Sequence, residues 1–152
     1  MQAQVVTGDI DPFIGTGGHG HSHPSASMPF GMVQLGPDGR QEGWDGCSGY
    51  HYSDSTLYGF SHTHLSGTGV ADYNDIQFRP HLMGEDLSQP SPFIKSSESS
   101  AAGFYAVTLS NGIQVSLTAS ERMGLQKIQF PKGQRALVQL DVSYRDRTLS
   151  QG

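Results

Sequence analysis

"FYAVTLSNGIQVSLTA", residues 104–119, is the stretch that decides the fold. Ile113, Val115, Leu117 and Ala119 occupy every second position, with Gln114, Ser116 and Thr118 between them. A period of two puts the apolar set on one side of a strand and the polar set on the other, as in a half-buried antiparallel strand. "FYAVTL" and "IQVSLTA" flank Ser110-Asn111-Gly112. Asn-Gly between two such runs signals a hairpin, because both residues tolerate positive φ. "LQKIQF" (125–130) and "ALVQLDV" (136–142) continue the series across Pro131-Lys132-Gly133-Gln134. No window carries a helical stripe with caps. The expectation is an all-β chain with strands in meander order, folded as an antiparallel β-sandwich.

Upstream the pattern weakens. "FGMVQLG" (30–36) and "DIQFRP" (75–80) read as strands, and "STLYGFSH" (55–62) reads equally well as a strand or a short helical turn. "GEDLSQPSPFIKSSESSAAG" (84–103), rich in serine and proline, reads as a surface loop. Residues 1–80 hold 14 of the 20 glycines and 6 of the 7 histidines, so this half is the loop-rich one. Its eight acids face only two bases, Arg40 and Arg79, whereas residues 81–152 carry six acids and seven bases.

A chain of 152 residues suits one domain with a real core. The net charge of −5 gives no general attraction to nucleic acid or anionic membrane. No stretch approaches the roughly 18 apolar residues of a membrane span. The opening "MQAQVVTGDIDPF" lacks the basic start and apolar run of a signal peptide, and the mature start of an exported protein would read the same. Cys47 is the only cysteine, which excludes an intrachain disulfide and a cysteine-rich zinc site.

The histidines lie in "GTGGHGHSHP" (15–24) and "GFSHTHLSGTG" (59–69). If these segments are strands, His19, His21 and His23 share a face, as do His62 and His64, and converging imidazoles could hold zinc or copper. If the glycines and Pro24 make the first segment a loop, its histidines bond backbone or line a polar pocket. "EGWDGCSGYHYSD" (42–54) supplies what a sugar pocket needs: the lone Trp44, Asp45, then Tyr50, His51 and Tyr52, among glycines that let backbone approach closely. The alternative is that Trp44 plugs the end of the sandwich with its indole N–H bonded to a carbonyl.

"DPFIGTGGHGHSHPSASMPFGMVQLGPD" (11–38), "GWDGCSGYHYSDSTLYGFSHTHLSGTG" (43–69), "DYNDI" (72–76) and "ASERMGLQKIQFP" (119–131) together resemble the amino-terminal region of bacterial calcium-dependent alpha-1,2-mannosidases, the inverting exo-mannosidases of glycoside hydrolase family 92. The resemblance runs from about Asp9 to Val142. It implies a two-domain enzyme, in which an amino-terminal β-sandwich packs on a larger (α/α) barrel. The catalytic acid, the catalytic base and the main Ca2+ ligands are then expected in the barrel, outside this chain, leaving 1–152 as a single incomplete sandwich domain without turnover of its own. The implied partners are a mannose-containing oligosaccharide or N-glycan and the rest of the same enzyme, and the implied location is periplasmic or secreted. By resemblance the loops at 15–24, 43–52 and 59–69 face the barrel. Trp44 is then the first candidate for substrate contact, followed by Asp45, His62, His64, Ser66 and Thr68. Asp72 and Asp75 are expected to bond loops, with no catalytic role.

Overall fold

The hairpin at Asn111-Gly112 forms in the computed structural model, which describes residues 10–40, 43–67 and 69–144. In chain order the strands of these residues are β1 (Ala26–Ser27), β2 (Gln34–Asp38), β3 (Thr56–Leu57), β4 (Gly59–Ser61), β5 (Gln77–Leu82), β6 (Ser91–Pro92), β7 (Ser99–Ala101), β8 (Phe104–Thr108), β9 (Gln114–Ala119), β10 (Gly124–Gln129) and β11 (Ala136–Asp141). β8 and β9 pair antiparallel with Val107 opposite Val115. Their loop has three residues: Gly112 N bonds Leu109 O at 2.9 Å, and Leu109 N bonds Ile113 O at 2.8 Å. Gly112 alone takes the left-handed conformation, at φ 87°, where a Cβ would be strained.

Two antiparallel sheets face each other, one ordered β1-β2-β4-β5-β11 and one β10-β9-β8-β7, while β3 and β6 form a separate ribbon. Tyr105, Val107, Val115 and Leu117 from the four-stranded sheet meet Ala26, Leu35 and Phe60 from the five-stranded one. The chain is all-β and a sandwich, as the alternation predicts.

Three expectations change, and one open reading is decided. The meander ends at β10: β11 crosses to the other sheet and pairs with β5, Leu140 opposite Phe78. Alternation alone cannot choose between sheets. β5 offers Arg79, whose Nη1 lies 3.5 Å from Asp141 Oδ2. The stretch 84–103 is more than a loop, since it holds β6, a 3-10 turn at Lys95–Ser97 and β7. Its strands pair through backbone, so serine-rich side chains gave no periodic signal. β2 begins only at Gln34, because Phe30 sits at φ 60° and its side chain is fully exposed. β2 then runs through Gly36-Pro37. A proline is tolerated there because β1 reaches only Gln34 and Leu35. Finally, 55–62 is strand rather than helix, split into β3 and β4 at Tyr58.

The outer face of the five-stranded sheet is buried too, but it is polar. On β4, Phe60 points into the core and Ser61 points the other way. Ser61, Gln77 and Asn74 all reach Asp38, which is 0% exposed. Ser61 Oγ donates to Asp38 Oδ1 at 2.6 Å, Asn74 Nδ2 to the same oxygen at 2.7 Å, and Gln77 Nε2 to Oδ2 at 2.8 Å. Burying an ionisable group is tolerable only with such a full set of partners. Asp38 therefore ties together β2, β4, β5 and the loop between the last two.

Candidate functional site

The glycine-rich loops meet above this polar layer. Tyr52 N bonds Thr16 O at 2.8 Å, Gly67 N bonds His21 O at 2.7 Å, and Gly39 N bonds Gly49 O at 2.6 Å. Ser48 Oγ donates to Ser22 O at 3.1 Å. The three loops 15–24, 43–52 and 59–69 are thus one surface, joined largely by backbone. Close approach is where glycine is needed: a Cβ on Gly49 would lie 2.7 Å from the Asn74 amide.

Two further carboxylates fasten the surface to the scaffold. Asp54 Oδ1 accepts from Arg40 Nε at 2.8 Å, and its Oδ2 accepts from His51 N at 2.9 Å. Glu98 accepts from Tyr105 Oη at 2.7 Å and from Tyr50 Oη at 3.0 Å. Lys95 Nζ lies 2.6 Å from Glu98 Oε2. Burial, followed by the Glu98 charge, pushes the Tyr50 hydroxyl well above its ordinary range. Tyr50 is therefore a structural anchor and adds no exposed aromatic surface, whereas Tyr52 is half-exposed.

Trp44 opens a 3-10 turn, Trp44–Gly46, after Gly43 at φ 83°. It is 61% exposed, so it does not plug the sandwich. The His21 ring supports it edge-on at 4.9 Å, and Gly69 lies under the indole where any side chain would collide. His19 Nδ1 donates to Asp45 Oδ1 at 2.6 Å, and His21 Nε2 lies 3.6 Å from the same oxygen. The hydrogen bond from His19 holds the Asp45 carboxyl below its ordinary range. The result is a fixed, open indole beside a carboxylate. An apolar ring face and an oriented acceptor suit the two sides of a sugar.

The other sequence candidates separate. Ser66 is exposed on the loop that carries Gly67. Thr68 lies outside the described residues. β4 stops at Ser61, so His62 and His64 do not share a face. His62 turns to the inner side, its ring 5.6 Å from Phe78. The His64 side chain is 0% exposed; its Nδ1 donates to Gln34 O at 2.8 Å and its Nε2 lies 3.0 Å from Asp38. It can shape the surface through Asp38 but is closed to a ligand.

The segment with His19, His21 and His23 is a loop and sends its histidines apart. The first two serve Asp45, and His23 is half-buried with its ring 5.1 Å from that of His64. Burial, and then His64, lower the His23 pKa to about 3. Among the described residues no three His, Cys, Asp or Glu side chains are grouped to hold a metal ion. The carboxylate nearest Trp44 is taken up by His19, so the donor set does not fit a Ca2+ cage of six or more oxygens. Asp72 bonds Tyr73 N at 2.8 Å, and Asp72 and Asp75 are both exposed. Sequence reasoning missed the support of Trp44 by His21. The Gly-His spacing in "GHGHSH" is the available signal, and it reads as a metal pattern or a pocket lining.

The glycosyl hydrolase family 92 N-terminal domain matches residues 9–151. A family GH92 alpha-mannosidase of Bacteroides thetaiotaomicron, solved in complex with mannoimidazole, superposes with a TM-score of 0.86 at 34% identity, over 93% of this chain and 20% of that one. A family GH92 inverting mannosidase of the same organism gives a TM-score of 0.71 at 28% identity, over 81% of this chain and 17% of that one. An uncharacterized secreted glycosidase of the fungus Arthroderma benhamiae is 30% identical over an alignment of 132 positions that covers 80% of this chain and 17% of that protein. The chain spans a fifth or less of each of these relatives. No helix among the described residues is long and apolar enough to cross a membrane. From residue 9 to residue 151 this chain belongs to glycosyl hydrolase family 92, as its N-terminal domain.

Proposed function

We propose that this domain supplies one wall of the active site of an exo-acting, inverting alpha-1,2-mannosidase that removes terminal mannose from oligosaccharides such as N-glycans. The single observation that carries the reading is Trp44, an exposed indole held in place from two sides by His21 and Gly69. Binding a sugar on a preorganised aromatic avoids the cost of ordering it at the moment of contact. In this reading Trp44 packs on the sugar of the leaving-group side, Asp45 accepts from a hydroxyl, and Ser66 and Thr68 are the further candidates. The mannosidase names of the Bacteroides relatives support the substrate class, and the word inverting in one of them supports the stereochemistry.

Inversion needs one carboxylic acid to protonate the leaving oxygen and one carboxylate to activate water, roughly 6.5 to 9.5 Å apart. In this reading both groups come from polypeptide outside this chain, as do the ligands of any Ca2+. The secreted glycosidase relative supports a periplasmic or secreted location. The runner-up is a free-standing carbohydrate-binding β-domain, which the same preformed indole would serve.

The test is Trp44→Ala in the intact enzyme. Transition-state stabilisation should fall by about 2 kcal/mol, read from kcat/KM, with little change in melting temperature. A variant that unfolds while its folded fraction stays fully active makes Trp44 a core residue and ends the proposal. The 152-residue chain alone should show no turnover of an alpha-1,2-linked mannobiose, with or without Ca2+. Glycan binding by that chain at full strength, with no enzyme form to be found, would favour the binding domain.

A further inference from the structure

We infer that His19 is a second sugar-contacting residue, whose Nε2, held in place through Asp45, hydrogen-bonds a hydroxyl of the leaving-group sugar beside Trp44. The inference deepens the reading above and rests on it, in that it starts from Trp44 packing on that sugar.

His19, His21, Trp44 and Asp45 form one cluster on the loop surface, and they divide by exposure. Trp44 is 61% exposed and the His19 side chain 81%, against 7% for the His21 side chain and 31% for that of Asp45. His21 supports the indole edge-on and comes within 3.6 Å of Asp45, and Asp45 in turn holds His19 at 2.6 Å. The imidazole of His19 thus stands one hydrogen bond away from the residue that follows Trp44. Two of the four groups are presented to solvent, and the other two support them.

Asp45 determines what His19 offers. A carboxylate accepts only from a nitrogen that carries a proton, so Nδ1 bears the N–H and the neutral ring keeps its lone pair on Nε2. No described residue bonds that nitrogen. A carboxylate behind an imidazole fixes the direction of the ring and raises the basicity of its far nitrogen. A sugar hydroxyl both donates and accepts, so it suits Nε2 in the neutral ring and in the charged one.

The loop is built to hold this ring still. His19 stands at the corner of a turn closed by Gly20 N, which donates to Gly17 O at 3.2 Å. Gly18 takes the left-handed conformation at φ 57°, and a Cβ on Gly20 would run into the Gly15 carbonyl. His51 completes the hold. Ser53 N donates to its Nδ1 at 3.2 Å, which leaves its Nε2 to donate to Gly18 O at 3.2 Å. One imidazole therefore places the backbone that carries another. An exposed pair such as His19 and Asp45 adds little to stability. Its fixed geometry is explained by what it presents rather than by the fold it supports.

The test is a set of His19 variants of the intact enzyme, assayed on an alpha-1,2-linked mannobiose and on an aryl mannoside, whose leaving group has no sugar hydroxyls. His19→Ala should lower kcat/KM about tenfold more for the mannobiose than for the aryl mannoside, the effect of one lost hydrogen bond. His19→Gln, whose amide reaches the Nε2 position, should recover part of that loss. His19→Asn, whose amide reaches only the Nδ1 position and keeps the bond to Asp45, should stay as low as His19→Ala. A structural role reverses that order, so rescue by Asn and not by Gln overturns the inference. An equal loss on both substrates, or no loss on either, overturns it too. Trp44→Ala separates the inference from the reading beneath it. If Trp44→Ala lowers mannobiose turnover and His19→Ala does not, the His19 contact is refuted and the wall stands. If the His19 variants follow the expected order while Trp44→Ala changes nothing, the contact is upheld and the indole platform is refuted.

Discussion

Around β2 and β4 the two faces of the five-stranded sheet are both buried, and they are held by different physics. The inner face around Leu35 and Phe60 packs against Tyr105, Val107 and Leu117, where stability comes from removing apolar area from water. The outer face packs against loops that have little apolar mass to offer. There Asp38 collects Ser61, Asn74 and Gln77, and Asp54 collects Arg40 and the His51 amide, while Glu98, between the loops and the core, collects Tyr50, Tyr105 and Lys95. Non-directional packing tolerates small displacements, but hydrogen bonds to a buried carboxylate fix direction as well as distance. The half of the molecule that presents Trp44 is the half built this way.

Removing one carboxylate should break the comparison most visibly. Asp38→Ala takes from the Ser61 hydroxyl and the Asn74 and Gln77 amides the acceptor they share in a dry site. Urea unfolding should show a loss of roughly 3–5 kcal/mol. A loss under about 1 kcal/mol would mean that the outer face is held by something other than this hub. Leu117→Ala tests the inner face. It should cost about 3 kcal/mol, through lost transfer energy and a residual cavity. Because the loops hang on Asp38, Asp54 and Glu98, the folded Leu117 variant should keep its Trp44 environment, whereas a folded fraction of the Asp38 variant should not. Near-ultraviolet circular dichroism separates the two.

The smallest effect is a pH dependence. His23 is held neutral, with its pKa lowered to about 3. In the unfolded chain it titrates near 6.5, so its contribution is fully present above that value and is lost as pH falls toward the folded value. Between pH 6.5 and 5 this amounts to about 2 kcal/mol, since 1.5 units at 1.36 kcal/mol each separate the two states. His23→Gln should flatten that part of the acid limb. An unchanged slope in the variant would place the sensitivity elsewhere.

The inner face could be read from the chain and the outer face could not. Val115 and Leu117 announce their strand because aliphatic burial repeats with the pleat, so local spacing carries the information. Asp38 gives no such sign: its partners come from positions 61, 64, 74 and 77, and only the finished fold brings them together. β11 shows the limit of periodicity even among strands, as Val138 to Asp141 alternate without naming the sheet they join. β6 and β7 went unread because backbone pairing places few demands on serine side chains. At the site, the aromatic and acidic pair Trp44-Asp45 was legible from composition. The split of His62 from His64 depended on β4 ending at Ser61, one residue too early for the strand spacing to apply.

The placement of Trp44 also determines what light can report about this protein. It is the chain's only tryptophan, and it stands outside the core against an imidazole. Indole emission follows the polarity around the ring, so the intrinsic signal of the domain is a gauge of the loop surface alone. A titrant that covers the indole should shift the emission to the blue. Melting of the sandwich should be nearly silent in that channel until the loops let go, and the tyrosines Tyr50 and Tyr105 beside Glu98 are the chromophores that watch the interior.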